Sequence, residues 1–190
     1  MAIASTCNVR LSDITSDPLR GAICPWDWSG GSLELFARGL RSAEGLAWEP
    51  GADTRWVAAN NRDNTPSPFD DGTGQYDKTD QGIQAHSAPR GLTFFGNGEL
   101  DPAWKRGARV ACHGSWNRTG RTGDKGHRLP GEPLATRRHT EEVDLVTGFK
   151  CPDLSVWGQP VDVALAPGGG FIVSDAAAGA LYRIAATAWP

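Results

Sequence analysis

Four histidines, His86, His113, His127 and His139, are the side chains of this sequence best suited to take a proton near neutral pH. His113 stands in HGSWNR (113–118), where an apolar run ends, and His86 opens HSAP (86–89). These two are the candidates for a general base; a hydrogen bond to a loop backbone is the alternative use of each. His127 and His139 lie in a basic stretch and read as loop residues. That stretch is itself a signal. Residues 104–139 carry nine Lys/Arg and two acids, a net of +7, while the rest of the chain has 10 basic against 20 acidic residues, a net of −10. Such asymmetry points to an anion site, with a solvated loop as the plainer reading. Asp63, Asp162 and Asp175 sit beside predicted strands, and none belongs to a cluster with the ligand number of a dedicated Ca²⁺ cage. Asp175, in VSDAA, has the setting of a carboxylate that fixes a turn by accepting backbone N–H bonds. Cys7, Cys24, Cys112 and Cys151 show no C-x-x-C spacing, which argues against a metal knuckle and leaves disulfides or buried small hydrophobes open.

The elements that must position these groups are short strands. Among 190 residues there are 24 Gly, 13 Pro and 8 Trp but one Met, and no stretch has the period of a long amphipathic helix. A formal charge of −3 excludes a globally basic nucleic-acid binder, and no apolar run is long enough to span a bilayer. No secretory signal is visible in the first residues. SLELFARGL (32–40) alternates as a half-buried strand does, and GLAWEPGADTRWVAANN (45–61) reads as a hairpin about Pro50-Gly51. GLTFFGNG (91–98) and ARVACHGSW (108–116) form a second pair, EEVDLVTGF (141–149) is strand-like, and residues 160–184 hold three strands. Residues 1–25, 62–85 and 117–139 read as irregular or loop. The pattern "strand, loop, G/D-[LV]-[AT]-[WLF], turn, strand" recurs three times, which predicts an all-β chain of propeller-type blades over 26–190, after an irregular segment at 1–25. A β-sandwich with similar hairpins is the alternative.

FARGLRSAEGLAWEPG (36–51), HSAPRGLTFF (86–95), HGSWNR (113–118) and VTGF…WGQPVDVALAPGGGFIVSDAAAGALYRI (146–184) occur in one order across most of residues 32–184. Together they resemble the glucose/sorbosone dehydrogenase family, the soluble quinoprotein sugar dehydrogenases, and its sorbosone dehydrogenase branch above all. The resemblance implies a partial six-bladed β-propeller of about three blades. It implies pyrroloquinoline quinone (PQQ) as cofactor, Ca²⁺ at its edge and a sugar or aldose as substrate. By motif position, Arg41 is a quinone contact, Ser42 stands beside it, and Lys125 matches a quinone-facing lysine. Trp116 either stacks on the ring or packs between blades, and Asn117 and Arg118 close the same strand. Gln159 stands where the family usually has arginine, and Ser42 where it usually has asparagine. No counterpart is found for the family's catalytic histidine or for its Tyr-Gly-Trp-Pro stretch, which helps hold Ca²⁺, so the metal ligands stay unassigned.

Two readings of function follow. One is a PQQ-dependent sugar or aldose (sorbosone-type) dehydrogenase in truncated form, with proton transfer assigned to His113 or, failing that, His86. The other is a catalytically inactive propeller module with a binding or vestigial role. A lactonase-like hydrolase would need a channel metal on Glu, Asp and Asn, for which the sequence offers no convincing set. Relatives of this kind work in the periplasm or outside the cell, which makes that the location implied by resemblance. A partial propeller also has open flanks, through which self-association is expected.

Overall fold

The computed structural model describes residues 2–4, 15–26, 29–31, 33–38, 40–60, 82–95, 107–115, 118–129 and 142–185. Every named element among them is a β-strand, and all the pairings with a described register are antiparallel. The chain divides into two compact units, one of Met1–Ala43 and Ala59–Asp80, the other of Glu44–Ala58 and Gln81–Pro190. In the first, β1 (Ala2–Ala4), β2 (Ala22–Cys24) and β3 (Ala37–Arg38) form one sheet with β2 in the middle. Ala22, Ile23 and Cys24 are its buried centre.

The second unit is a stack of three sheets. β4 (Ala43–Trp48) and β5 (Arg55–Ala59) make a hairpin that turns at Glu49–Ala52, with Glu49 N–H donating to the Thr54 carbonyl at 3.0 Å. The ends of this hairpin at Ala43 and Ala59 are assigned to the first unit. β6 (Pro89–Phe94), β7 (Ala108–Cys112), β8 (Lys125–Leu129) and β9 (Val143–Val146) form a four-stranded meander. β10 (Pro160–Leu165), β11 (Phe171–Asp175) and β12 (Ala180–Ile184) form a three-stranded one. Strands of this kind follow from alternating apolar residues between Gly- and Pro-rich turns.

The meander is the middle layer, and β7 shows why. All five of its residues are buried. Ala108, Val110 and Cys112 join Ala58, Leu92 and Phe94 in a core shared with Trp56 of the hairpin. The alternate residues, Arg109 and Ala111, face a second core region with Val163, Phe171 and Val173 of the last sheet. A strand covered on both faces needs a continuous buried run rather than apolar–polar alternation, and ARVAC supplies it. The first strands of successive sheets touch where the sequence echo places Gly45, Gly91 and Asp162. A β-carbon at Gly45 would strike the Arg90 carbonyl oxygen on β6, and one at Gly91 would strike Asp162 on β10. The Arg90–Glu44 ion pair, at 2.6 Å, ties β6 to β4 beside this contact.

Several expectations are corrected. Residues 117–139 are not loop throughout, because β8 runs from Lys125 to Leu129 and pairs with both β7 and β9. KGHRL has little strand propensity; hydrogen bonding on both edges holds it. Among the described residues of 32–40 only Ala37–Arg38 is strand, and Leu33, Leu35 and Phe36 stay exposed. Residues 1–25 hold β1 and β2. HGSWNR does not end a strand, since β7 stops at Cys112. Cys24, Cys112 and Cys151 are free thiols, and Cys7 lies outside the described residues.

Arg109 is 1% exposed, with its guanidinium 4.4 Å from the Phe95 ring centroid and one N–H donating to the Gly107 carbonyl at 3.0 Å. Removing a buried charge while keeping its volume is commonly neutral. Arg109→Met is therefore expected to change unfolding stability by less than about 1.5 kcal/mol. Arg109→Ala, which empties the site, is expected to lose about 3 kcal/mol. Urea unfolding of the two variants measures the difference.

Candidate functional site

Two loops meet at one end of the four-stranded sheet. Pro89 opens β6 opposite Cys112, and Cys112 stands opposite Lys125, which opens β8. The loop before β6 and the loop joining β7 to β8 emerge there and bind each other. His113 N–H donates to the Ala88 carbonyl at 3.0 Å and Gly114 N–H to that of Ser87 at 3.2 Å. The Ser87 and Thr122 hydroxyls lie 3.2 Å apart, and Thr122 donates to Gln84 Oε1 at 2.6 Å. An Arg118 guanidinium N–H reaches the Ala85 carbonyl at 3.3 Å. His86, Ala88 and Asp124 hold left-handed backbone conformations, with φ of 66°, 48° and 52°. Non-glycine residues adopt these at a cost of about 1 to 3 kcal/mol, offset here by the bonds between the loops.

These loops and the end of β9 line a cavity of about 320 Å³ bordered by Gln84, Arg121, Thr122, Asp124, Lys125, Asp144, Thr147 and Lys150. That volume lies at the lower end of the range of small-molecule pockets. Lys125 Nζ pairs with Asp144 Oδ1 at 2.6 Å, and Lys150 Nζ donates to the Arg121 carbonyl at 3.0 Å. Asp124 is 2% exposed, and neither of its carboxylate oxygens has a hydrogen-bond partner among the described residues. Its carboxyl lies against Gly114, leaving no room there for a β-carbon. Burial raises its pKa above the ordinary aspartate value, opposed by the positive charges of Arg121 and Lys150. The cavity wall carries three cations, Arg121, Lys125 and Lys150, against the carboxylates of Asp124 and Asp144. Such a wall suits an anion rich in hydrogen-bond acceptors.

Of the residues singled out from sequence, Lys125 lies in this cavity. His113, half-buried after β7, has its imidazole pKa lowered by burial and by Arg90, with Glu44 and Asp175 acting the other way. It is therefore neutral at pH 7 and able to accept a proton. His86 occupies the turn at 85–86. Arg118 is exposed and bonded to the neighbouring loop rather than closing a strand. Gln159 is held by its backbone, its N–H donating to Asp175 Oδ1 at 2.9 Å. In the other unit, Arg41 donates to the Asn60 carbonyl at 2.7 Å, and Ser42 is buried with φ 45°. Trp116 and Asn117, with His139 and Asp63, lie outside the described residues. Sequence reasoning missed Gln84, Asp124, Asp144 and Lys150; Arg121 was foreshadowed only by the basic excess of its segment. Among the described residues no group of three or more His, Cys, Asp or Glu side chains is placed to hold a metal ion.

Burial has a sharper effect on Cys112. Its thiol pKa is pushed up to about 12, chiefly by desolvation, with Lys125 acting the other way.

No family model matches the sequence. A protein of Borreliella burgdorferi named only as uncharacterized is 29% identical over 102 residues, covering 54% of this chain and 27% of its own length. Two solved structures of a Trichoderma reesei carbohydrate-active enzyme of family AA12, one with iodide and one with calcium, are similar at 20% identity and a TM-score of 0.45. Each match covers 67% of this chain and 31% of the fungal chain. The chain thus spans about a third or less of the length of the proteins it matches.

Proposed function

We propose that this chain is part of a PQQ-dependent sugar oxidoreductase of the glucose/sorbosone dehydrogenase type, and that its three-sheet stack is a segment of a propeller. The observation that carries this reading is the setting of Lys125. The residue picked out by its motif as quinone-facing borders a cavity together with Arg121 and Lys150. The donor set fits the carboxylates of PQQ. When bound, that cofactor supplies the two-electron acceptor for oxidation of a sugar hydroxyl or aldehyde hydrate. Arg121, Lys125 and Lys150 would bind and orient its carboxylates, with Asp144 fixing the Lys125 ammonium. His113, neutral at its imidazole, is the group assigned to take the substrate proton. The described residues do not fit Ca²⁺, and no role is assigned to it.

One observation favours the second reading, an inactive binding module. The Arg41 guanidinium, expected to face the quinone, is engaged with the Asn60 carbonyl. PQQ titration separates the possibilities. We expect saturable but weak binding, reduced by about tenfold to a hundredfold in Lys125→Ala. Dye-linked oxidation of glucose, other aldoses and sorbosone is then measured for the chain and for His113→Ala. Turnover abolished in the variant supports the enzyme, and PQQ binding without turnover supports the module. Absence of PQQ binding that depends on Lys125 defeats the oxidoreductase reading and leaves the inactive module.

A further inference from the structure

We propose that Asp124 makes anion capture by the cavity proton-coupled: the site takes up a proton on this buried carboxylate as the anion enters and releases the anion as the proton leaves. The inference rests on the anion-site reading of the cavity, but not on which anion binds.

The argument starts from the position of the carboxyl. Asp124 borders the cavity, is 2% exposed, and has both oxygens without a hydrogen-bond partner among the described residues. It precedes Lys125 and is clamped against Gly114 of the loop after β7. A carboxylate in this position has lost its water and gained no donor in exchange, so ionisation costs more than it does for an aspartate in water. Its raised pKa agrees with that geometry.

The charged groups around it come from every neighbouring element. Arg121 lies on its own loop, Lys150 follows β9, and both act on it directly. Lys125 opens β8 but is paired with Asp144 of β9. His113 stands beside Gly114 in the loop across the carboxyl. Arg121 and Lys150 are therefore the cations whose field an entering anion and an ionised Asp124 would compete for. Both oxygens of Asp124 are shielded, so the competition works through space and needs no contact with the ligand. By linkage, an anion that binds more tightly when Asp124 is neutral must raise the proton affinity of Asp124 by the same factor. At separations across such a cavity, one unit of charge changes anion affinity by roughly threefold to tenfold.

The test uses benzenetrisulfonate, a planar trianion whose charge does not change with pH, and isothermal titration of the whole chain across about pH 4.5 to 8. Titration in buffers of different ionisation enthalpy counts the protons exchanged. We expect binding to weaken by roughly threefold to tenfold as pH rises, with uptake of at most about half a proton where Asp124 titrates. Asp124→Asn keeps the shape and stays neutral. It should hold the low-pH affinity across the whole range and abolish the uptake. Circular dichroism of the variant confirms its fold, and the proton count on the unaltered chain stands without the variant. No binding at any pH, binding without proton uptake, or uptake that persists in Asp124→Asn overturns the proposal. PQQ binding that depends on Lys125 but takes up no proton would leave the oxidoreductase reading standing and end this one. Proton-coupled capture of the trisulfonate without affinity for PQQ would do the reverse.

Discussion

Asp175→Ala is expected to lose about 3 to 5 kcal/mol of unfolding stability, a large share of what a domain of this size possesses. The carboxylate is 5% exposed and ends β11. Its Oδ1 accepts three backbone N–H bonds, from Gln159, Ala177 and Ala178, each at 2.9 Å. It therefore holds together the entry to β10 and the turn between β11 and β12. Alanine leaves those donors without their shared acceptor inside the fold. Asparagine keeps an acceptor oxygen at the same place without the charge, so Asp175→Asn should recover part of the loss. Denaturant unfolding of the three proteins gives the order unaltered, Asn, Ala. A loss below about 1 kcal/mol in Asp175→Ala would mean that water satisfies the turn.

Gly91→Ala is expected to cost about 3 kcal/mol for a different reason. The position has no left-handed backbone, so conformational freedom is not at stake. A β-carbon there would lie inside contact distance of the Asp162 Cα and carboxylate, and the Cα belongs to a backbone that cannot swing aside. The last sheet would have to move away from the middle one, opening the core around Phe95, Val163, Phe171 and Val173. Asp162→Gly on top of Gly91→Ala should relieve only the side-chain part of the clash. Gly82→Ala is the control, because a β-carbon there meets nothing within 4 Å. It should stay within about 0.5 kcal/mol of the unaltered protein. Melting temperatures of the four proteins test the ordering.

What could be read from the sequence was local. The hairpin about Pro50-Gly51, the strands in GLTFF and ARVAC, and the three strands of 160–184 each carry their own alternation and turn residues, and the structure has strands in all of them. Asp175 was legible for the same reason, since an aspartate bonding the N–H groups just beyond it is a matter of a few residues. β8 was not legible. KGHRL lies in a Gly- and Arg-rich stretch without period, and its conformation comes from strands on either side. The segment 32–40 failed in the opposite way, with good alternation but little pairing to fix it. The candidate site followed the same division. A motif pointed to Lys125 and a charge excess to the segment containing Arg121, yet Gln84, Asp144 and Lys150 come from other parts of the chain and meet only in the fold. The burial of Asp124 depends on Gly114, ten residues away, and no local pattern announces it.

The packing of β7 has a chemical consequence for any quinone in the cavity. An ortho-quinone is an electrophile, and a thiolate adds to it. Cys112 stands opposite Lys125 of the cavity wall in the strand ladder, yet it is 0% exposed and belongs to the core with Leu92 and Phe94. With the thiol pKa pushed up to about 12, the thiolate is nearly absent at neutral pH. The same burial that fills the core therefore disarms the thiol of β7 twice over, by keeping electrophiles from reaching it and by keeping its proton on.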